Sequence, residues 1–428
     1  MTKFKQQNKD YLYAPDLTPP EEIMACLLEA WRPRAGIERI PLSQAAGRLC
    51  AEPLYARHTL PVCRVAGPDG IAVRAKDFTE GMPDTSRWRE GVDYVAADCG
   101  DDFADGFDTV INIERVSFPA QGGVRLDLDN PDALKKGDMV RPRGATLHEG
   151  EQLLAPGNYI GAWQTGVLAS AGISEVAVIR KPVIAFIPTG SELITPNAPL
   201  TRGKNIEANG MMLRAALNAW GAELRLWPIV RDVETELEQA LDSALAVADI
   251  VLPGGGSSMG SEDFSAAMLA RRATRYRHGV RCAPGKPAAV ALIDGKAVIN
   301  LPGPPLSAFC ALDWSLKPLL AAWYGQPVPA RRRVMARLTR ALRKPSDMMV
   351  DFTFYCRLQV FTDSASGKSV AQPLGMDTRF ADSAMLTNAL IRVPPGIMQF
   401  EAGRLIEAEI LYTDTIPSPL PGIPVNIG

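Results

Sequence analysis

Four short segments of this chain carry residue types suited to holding an anion, and each follows an apolar run. They are Thr189-Gly190-Ser191-Glu192, Arg231-Asp232, the glycine-rich stretch PGGGSSMGSED from Pro253 to Asp263, and Leu301-Pro302-Gly303-Pro304-Pro305. In the third, Gly254, Gly255 and Gly256 let the backbone approach a ligand, and Ser257 and Ser258 add hydroxyl donors. A helix starting near Ser261 would turn its free amides and positive dipole end towards that ligand. The turn Ala283-Pro284-Gly285-Lys286-Pro287 adds a lysine that can act as a point charge on phosphate. Glu192, Asp232 and Asp263 each follow an apolar run, so three carboxylates can meet in one crevice and hold Mg²⁺ beside a phosphate.

Each segment also has a plainer role. Glycine clusters make tight turns, a turn lysine is solvated, and a lone acid caps a helix. The joint placement of the segments raises the functional reading above these. The third stretch is neither GxGxxG nor GxxxxGK[ST], so neither nicotinamide nor P-loop chemistry follows. His58, His148 and His278 lack metal-ligand spacing, and the seven cysteines contain no CxxC pair. The five arginines between Arg271 and Arg281 fit a solvated helix face or the rim of the crevice.

The elements that would position these residues are legible as an α/β pattern. VIAFIPTG and DIVLPGGG are continuous apolar runs, as buried parallel strands are, and LRLWPIV reads as a third strand. Leu213, Leu217 and Trp220, then Leu237, Leu241, Ala244, Leu245 and Ala248, recur at helical spacing. Ligands of open parallel sheets bind beyond the carboxyl ends of the strands, where all four segments fall. Upstream, Pro19-Pro20 introduces a helix over 20–34, short β runs occupy about 46–142, and a helix-like stretch covers 159–172. Downstream, a helix over PLSAFCALDWSLKPLLAAWYG precedes β-period runs at about 331–415.

A length of 428 residues suggests about three domains. A net charge of −2 with dispersed bases argues against a nucleic-acid or anionic-membrane binder. The polar start MTKFKQQNKD lacks the apolar core of a secretory signal, and no run reaches the length of a membrane helix. A soluble, cytoplasmic protein with reduced thiols is expected.

Together these residues resemble the molybdopterin molybdotransferase family, of the MoeA and gephyrin E-domain type. TGSEL at 189–193, KNIEANGMML at 204–213, IVRD at 229–232, ADIVLPGGGSSMGSEDF at 248–264, APGKP at 283–287 and LPGPPLSA at 301–308 carry the resemblance in order. PDGIAVRA at 68–75, DGFDTVINIE at 105–114 and the stretch 153–182 extend it over nearly the whole chain. The resemblance implies a multidomain α/β protein of elongated form. Its parts would be a discontinuous first domain at 15–45 and 143–182, a β-rich insertion at 46–142, a parallel-rich α/β molybdopterin-binding domain at 183–325, and a β-barrel at 331–415. It implies a homodimer in which the β-rich domain reaches its neighbour's crevice, with a molybdoenzyme or cofactor-biosynthesis protein as a further partner.

The implied reaction inserts molybdate into adenylylated molybdopterin with a divalent metal and releases AMP. By matching position, the catalytic residues would be Asp69, Glu192, Asp232 and Asp263, the last three also binding Mg²⁺. Thr189, Gly190, Gly254, Gly255, Gly256, Ser257, Ser258, Gly260, Pro284, Gly285, Lys286, Pro302 and Gly303 would hold the pterin nucleotide. This chain departs from the family pattern at Val65 and Ala66, which stand for two polar residues, and at Cys99, which stands for threonine. It departs again at Ala145 and Thr146, which stand for two acids, and at Pro304, which stands for the asparagine of LPGNP. The family's QGSG element has no counterpart near 375–382. A non-catalytic molybdopterin-binding or delivery protein is therefore the alternative reading.

Overall fold

The structure, a computed structural model, describes residues 17–255, 264–328, 330–364, 366–375 and 380–411. These fall into two compact units, one from Gly36–Ile179 and one from the described parts of Met1–Ala35 and Arg180–Gly428.

Gly36–Ile179 is built of short strands. A three-stranded antiparallel sheet joins Val95–Ala97, Gly70–Val73 and Thr109–Asn112 over a core of Ile71, Val73, Phe78 and Ile111. A second core gathers around the paired strands Ile37–Pro41 and Glu175–Ile179 and the helix Ala162–Ser170. That helix is shorter than the expected 159–172, because Tyr159–Ile160 pairs as a strand with Arg48–Leu49.

The other unit opens with α1 (Pro20–Ala30), where Pro20 sits in the first turn, a position that needs no amide donor. It stops four residues short of expectation, since Pro33 disfavours helical geometry at Arg32. Ile23 and Leu27 are buried within the same core as the α/β sheet. From there the chain runs β1 (Val183–Pro188), α2 (Asn209–Ala219), β2 (Glu223–Leu226), α3 (Glu234–Val247), β3 (Ile250–Gly254), α4 (Phe264–Arg272), β4 (Arg275–His278), β5 (Ala289–Ile293), β6 (Lys296–Asn300) and α5 (Pro305–Tyr324). The sheet order is β2-β1-β3-β6-β5-β4. The first four strands are parallel, and the last two add antiparallel by hairpin, so the sheet is mixed.

β1 and β3 are buried on both faces, between a core with α1, α2 and α5 and another with α3 and α4. This explains why both read as unbroken apolar runs. β2 ends at Leu226 rather than running through LRLWPIV, because Pro228 has no amide to donate. At the amino end of the sheet, Asp249 accepts both guanidinium nitrogens of Arg180 (2.9 and 3.0 Å) and the Val183 amide (2.7 Å).

Beyond α5, the strands Thr353–Thr362, Ser369–Leu374, Arg333–Leu338, Leu405–Ile410 and Ala389–Val393 pair in that order. The last returns to the first and closes a five-stranded barrel. The β domain read from β-period runs is thus present, closed as the barrel that the family resemblance implies. A part-buried ion cluster ties it to α5: Asp313 meets Lys317 at 2.8 Å and Arg331 at 3.1 Å, and Arg331 reaches Glu409 of the barrel at 3.4 Å. Among the described residues, no helix is long and apolar enough to cross a membrane.

Candidate functional site

The carboxyl ends of the parallel strands β1, β2, β3 and β6 surround a crevice of about 770 Å³. Parallel register brings them level: Pro188 lies opposite Gly254, and isolated bridges extend the pairing from Thr189 to Val230 and from Gly254 to Leu301. Thr189, Gly190, Glu192, Asp232, Gly254, Gly255, Pro302 and Gly303, all singled out from the sequence, line this space.

Backbone and side-chain hydrogen bonds fix the acids. The Ser191 amide donates to Asp232 Oδ2 at 2.8 Å, and the Asp232 amide donates back to Ser191 Oγ at 3.1 Å. One Asp232 oxygen is thereby committed, and the other remains to meet a ligand. Glu192 is exposed on the same turn, whose course is set by bonds from Gly190 N–H to Val230 O (3.0 Å) and from Asn205 N–H to Glu192 O (2.9 Å). Lys204 Nζ donates to Ser191 O at 2.8 Å and closes the turn from outside.

The glycine strand end is tight. Gly255 has φ +118°, and a Cβ there would stand 2.5 Å from the Thr189 carbonyl oxygen. A Cβ on Gly254 would run into the Phe186 ring. Only glycine lets β3 end between its neighbours in this way. Gly256, Ser257, Ser258, Gly260 and Asp263 lie outside the described residues, as does the helix start expected near Ser261. The described part of α4 begins at Phe264.

The APGKP turn packs on the start of α5, with a Gly285 Cβ position 3.6 Å from Ser307 O and 3.7 Å from Ala311 N. Pro287 lines the crevice. Lys286 is half-buried, not solvated, and desolvation pulls its ammonium down from 10.5 to about 8. An anion beside it would push that value back up. The arginines from Arg271 to Arg281 do not form one helix face. Arg271 and Arg272 end α4 and pair with Glu234, Glu238 and Asp242, whereas Arg275 and Arg277 stand on the edge strand β4.

Asp69 belongs to the Gly36–Ile179 unit. It is exposed, and its Oδ1 accepts the Cys99 amide at 2.7 Å. The Ile113 amide donates to Asp69 O at 2.8 Å, and Gly70 after it cannot carry a Cβ because the Ile111 carbonyl occupies that space.

Three further polar side chains line the crevice, none of them singled out from the sequence. Glu207 Oε1 accepts the Gly210 amide at 2.9 Å in the first turn of α2, and Asn209 Nδ2 donates to Gly303 O at 2.9 Å. Asn205 lines the same wall. An acid just before an apolar helix is a helix-start signal by which Glu207 could have been found. Nothing local pointed to Asn209, whose partner is 94 residues away.

Among the described residues no cluster of three or more His, Cys, Asp or Glu could hold a metal. Glu192 and Asp232 nonetheless suit Mg²⁺, which takes one or two carboxylates and completes its shell with water and phosphate oxygens.

Two family profiles match the chain. Residues 18–172 match "MoeA N-terminal region (domain I and II)", and 185–322 match "Probable molybdopterin binding domain". A molybdopterin molybdenumtransferase of Bacillus subtilis is 27% identical over 394 residues, 87% of this chain and 90% of that protein. Molybdopterin molybdenumtransferase 2 of Mycobacterium tuberculosis is 26% identical over 411 residues, covering 90% and 97%. The crystal structure of a molybdopterin biosynthesis MoeA protein from Pyrococcus horikoshii shares the fold, with a TM-score of 0.72 at 24% identity over 92% of this chain and 99% of that one.

Proposed function

We propose that this chain, which belongs to the molybdopterin molybdotransferase family of the MoeA type, inserts molybdate into adenylylated molybdopterin and releases AMP. One observation carries the reading: Glu192 and Asp232 meet two clamped backbone segments, Gly254–Gly255 and Pro302–Gly303, across one crevice at the strand ends. Backbone in this setting approaches phosphate closely, and the half-buried Lys286, an ammonium below about pH 8, supplies a cation for it. The relatives' shared name supports turnover over the non-catalytic alternative.

In this reading the glycine segments grip the phosphates, and Lys286 offsets their charge. Glu192 and Asp232, with Asp263, would hold Mg²⁺, which when bound neutralises phosphate charge and polarises the bond to the leaving AMP. The Ser191 hydrogen bonds keep Asp232 pointed at the ligand while one oxygen stays free. Asp69 is assigned the fourth acidic role, on a loop held by Cys99 and Ile113. The separate family matches at 18–172 and 185–322 support a boundary near 173–185 between the N-terminal domains and the pterin domain.

A homodimer is part of the proposal. Seven of the nine residues of the helix Ala162–Ser170 are exposed, Trp163 at 87%, and the helix carries no charge. An uncharged helix that exposes Trp163 and Val167 is a face another chain can cover, and a second copy meets no like charge there. The cytoplasm is the proposed compartment.

The deciding experiment incubates purified protein with adenylylated molybdopterin, Mg²⁺ and molybdate, and follows AMP. Molybdate-dependent AMP release that falls in Asp232→Asn supports the transferase. Tight binding without AMP release, unchanged in Asp263→Asn, supports the carrier instead. Light scattering at micromolar concentration should give a dimer that Trp163→Glu dissociates; a monomeric wild type removes the dimer.

A further inference from the structure

The crevice contains an amide clamp assigned to no role above. Asn300 ends β6 and is wholly buried. With its amide assigned so that nitrogen faces the acceptors, Nδ2 donates to Pro253 O (3.1 Å) and Gly255 O (3.0 Å), both on the carboxyl end of β3. From the opposite neighbour, Thr189 Oγ1 donates to Gly254 O at 3.1 Å, and the Thr189 amide donates to the same oxygen at 2.8 Å. Three consecutive carbonyls are thus held from two sides.

The ladder does not need Asn300 for this. Leu301 N–H already donates to Pro253 O (2.7 Å), and Gly255 N–H donates to Leu301 O (3.0 Å). A buried amide is costly unless both its donors are used. Here both are spent on the segment where β3 ends and the chain turns at Gly255, φ +118°. On the far wall Pro304 offers neither a backbone N–H nor a polar side chain, and that turn is held by Asn209 through Gly303 O.

We infer that Asn300 is a positioning residue for ligand binding: with Thr189 it forms a two-sided clamp that fixes how the glycine segment enters the crevice. It acts through the Pro253–Gly255 backbone and need not touch the ligand. The inference rests on the crevice being the pterin-nucleotide site proposed above.

The test uses the full chain and adenylylated molybdopterin as probe. Kd, KM and kcat for AMP release, and Tm, are measured for wild type, Asn300→Ala, Thr189→Val, Thr189→Ser and the Asn300→Ala/Thr189→Val double variant. Losing one arm of the clamp should raise Kd and KM about tenfold. For Asn300→Ala the kcat at saturation should stay within about threefold, and Thr189→Ser, which keeps the hydroxyl, should lose less affinity than Thr189→Val. Because both arms hold one segment, the double variant should bind less than the product of the two single effects weaker. A fall in Tm with unchanged Kd would make Asn300 a core residue only and end the inference. So would strictly multiplicative losses. If Asn300→Ala does not fold, Asn300→Ser and the Thr189 pair carry the same comparison. Wild type that fails to bind the probe removes the functional reading and this inference together; wild-type binding with unaffected variants removes this inference alone.

Discussion

Two acidic positions on this chain are held by different physics. Asp232 follows β2, at the parallel edge of the mixed sheet, and its place is set by the register of strands β1, β2 and β3 and by exchange with Ser191. Asp69 sits on a loop of a unit whose strands run from two to five residues, and two amides from separate loops hold it. The first arrangement draws on the buried strands β1 and β3, with a core on each face. The second draws on backbone contacts so close that glycine is required beside the acid. The sheet is therefore expected to keep its fold when an acid is replaced, whereas the loop beside Asp69 is expected to lose it when Gly70 gains a side chain.

The largest effect expected from that contrast is structural. Gly70→Ala drives a methyl group into the Ile111 carbonyl, which is rigid backbone within a sheet. It should cost about 3 kcal/mol and melt the Gly36–Ile179 unit early, as calorimetry would register. A wild-type melting curve would mean that the loop adapts and that the contrast is false.

Next in size, Asp232→Asn should lower AMP release about a hundredfold while Tm shifts by no more than a few degrees, because the amide can still accept from Ser191. A large Tm loss with retained turnover would recast Asp232 as a structural residue.

The smallest effect should be the loss of the cation. Lys286→Met should weaken nucleotide binding about tenfold at pH 7. Since the Lys286 ammonium is pulled down to about 8, wild-type affinity should fall as pH rises through about 8, and the Met variant should be flat there. The linkage to stability has a definite sign. The folded value lies below the unfolded one, so the charged lysine is a cost to the fold, complete below about pH 8 and gone once pH passes the ordinary 10.5. Lys286→Met should therefore stabilise the ligand-free protein at pH 7 and lose that advantage in alkali.

Much of this was open to inspection in the residue order. VIAFIP and DIVLPG are buried on both faces, and such strands write themselves as unbroken apolar runs. Leu237, Leu241, Ala244 and Leu245 mark the buried face of α3, and the segments after each strand do gather at one crevice. The β-rich unit was legible only as a class, because two-residue strands hold too few positions to show a period.

Residue types and their order were enough to place glycines, a lysine and acids after apolar strands, and hence to point to a phosphorylated ligand, while the ordered motifs carried the resemblance to this family. Side-chain periodicity does not report strand direction, so only the folded sheet showed that β5 and β4 join it antiparallel. Only the fold, too, could turn Asn300 into a clamp on Gly255, join Asn209 to Gly303, and bury Lys286 far enough to pull its ammonium down to about 8. Each of these depends on a partner or a dielectric supplied by chain that is distant in sequence. Local pattern encodes what a residue can do, and tertiary contact decides what surrounds it when it does so.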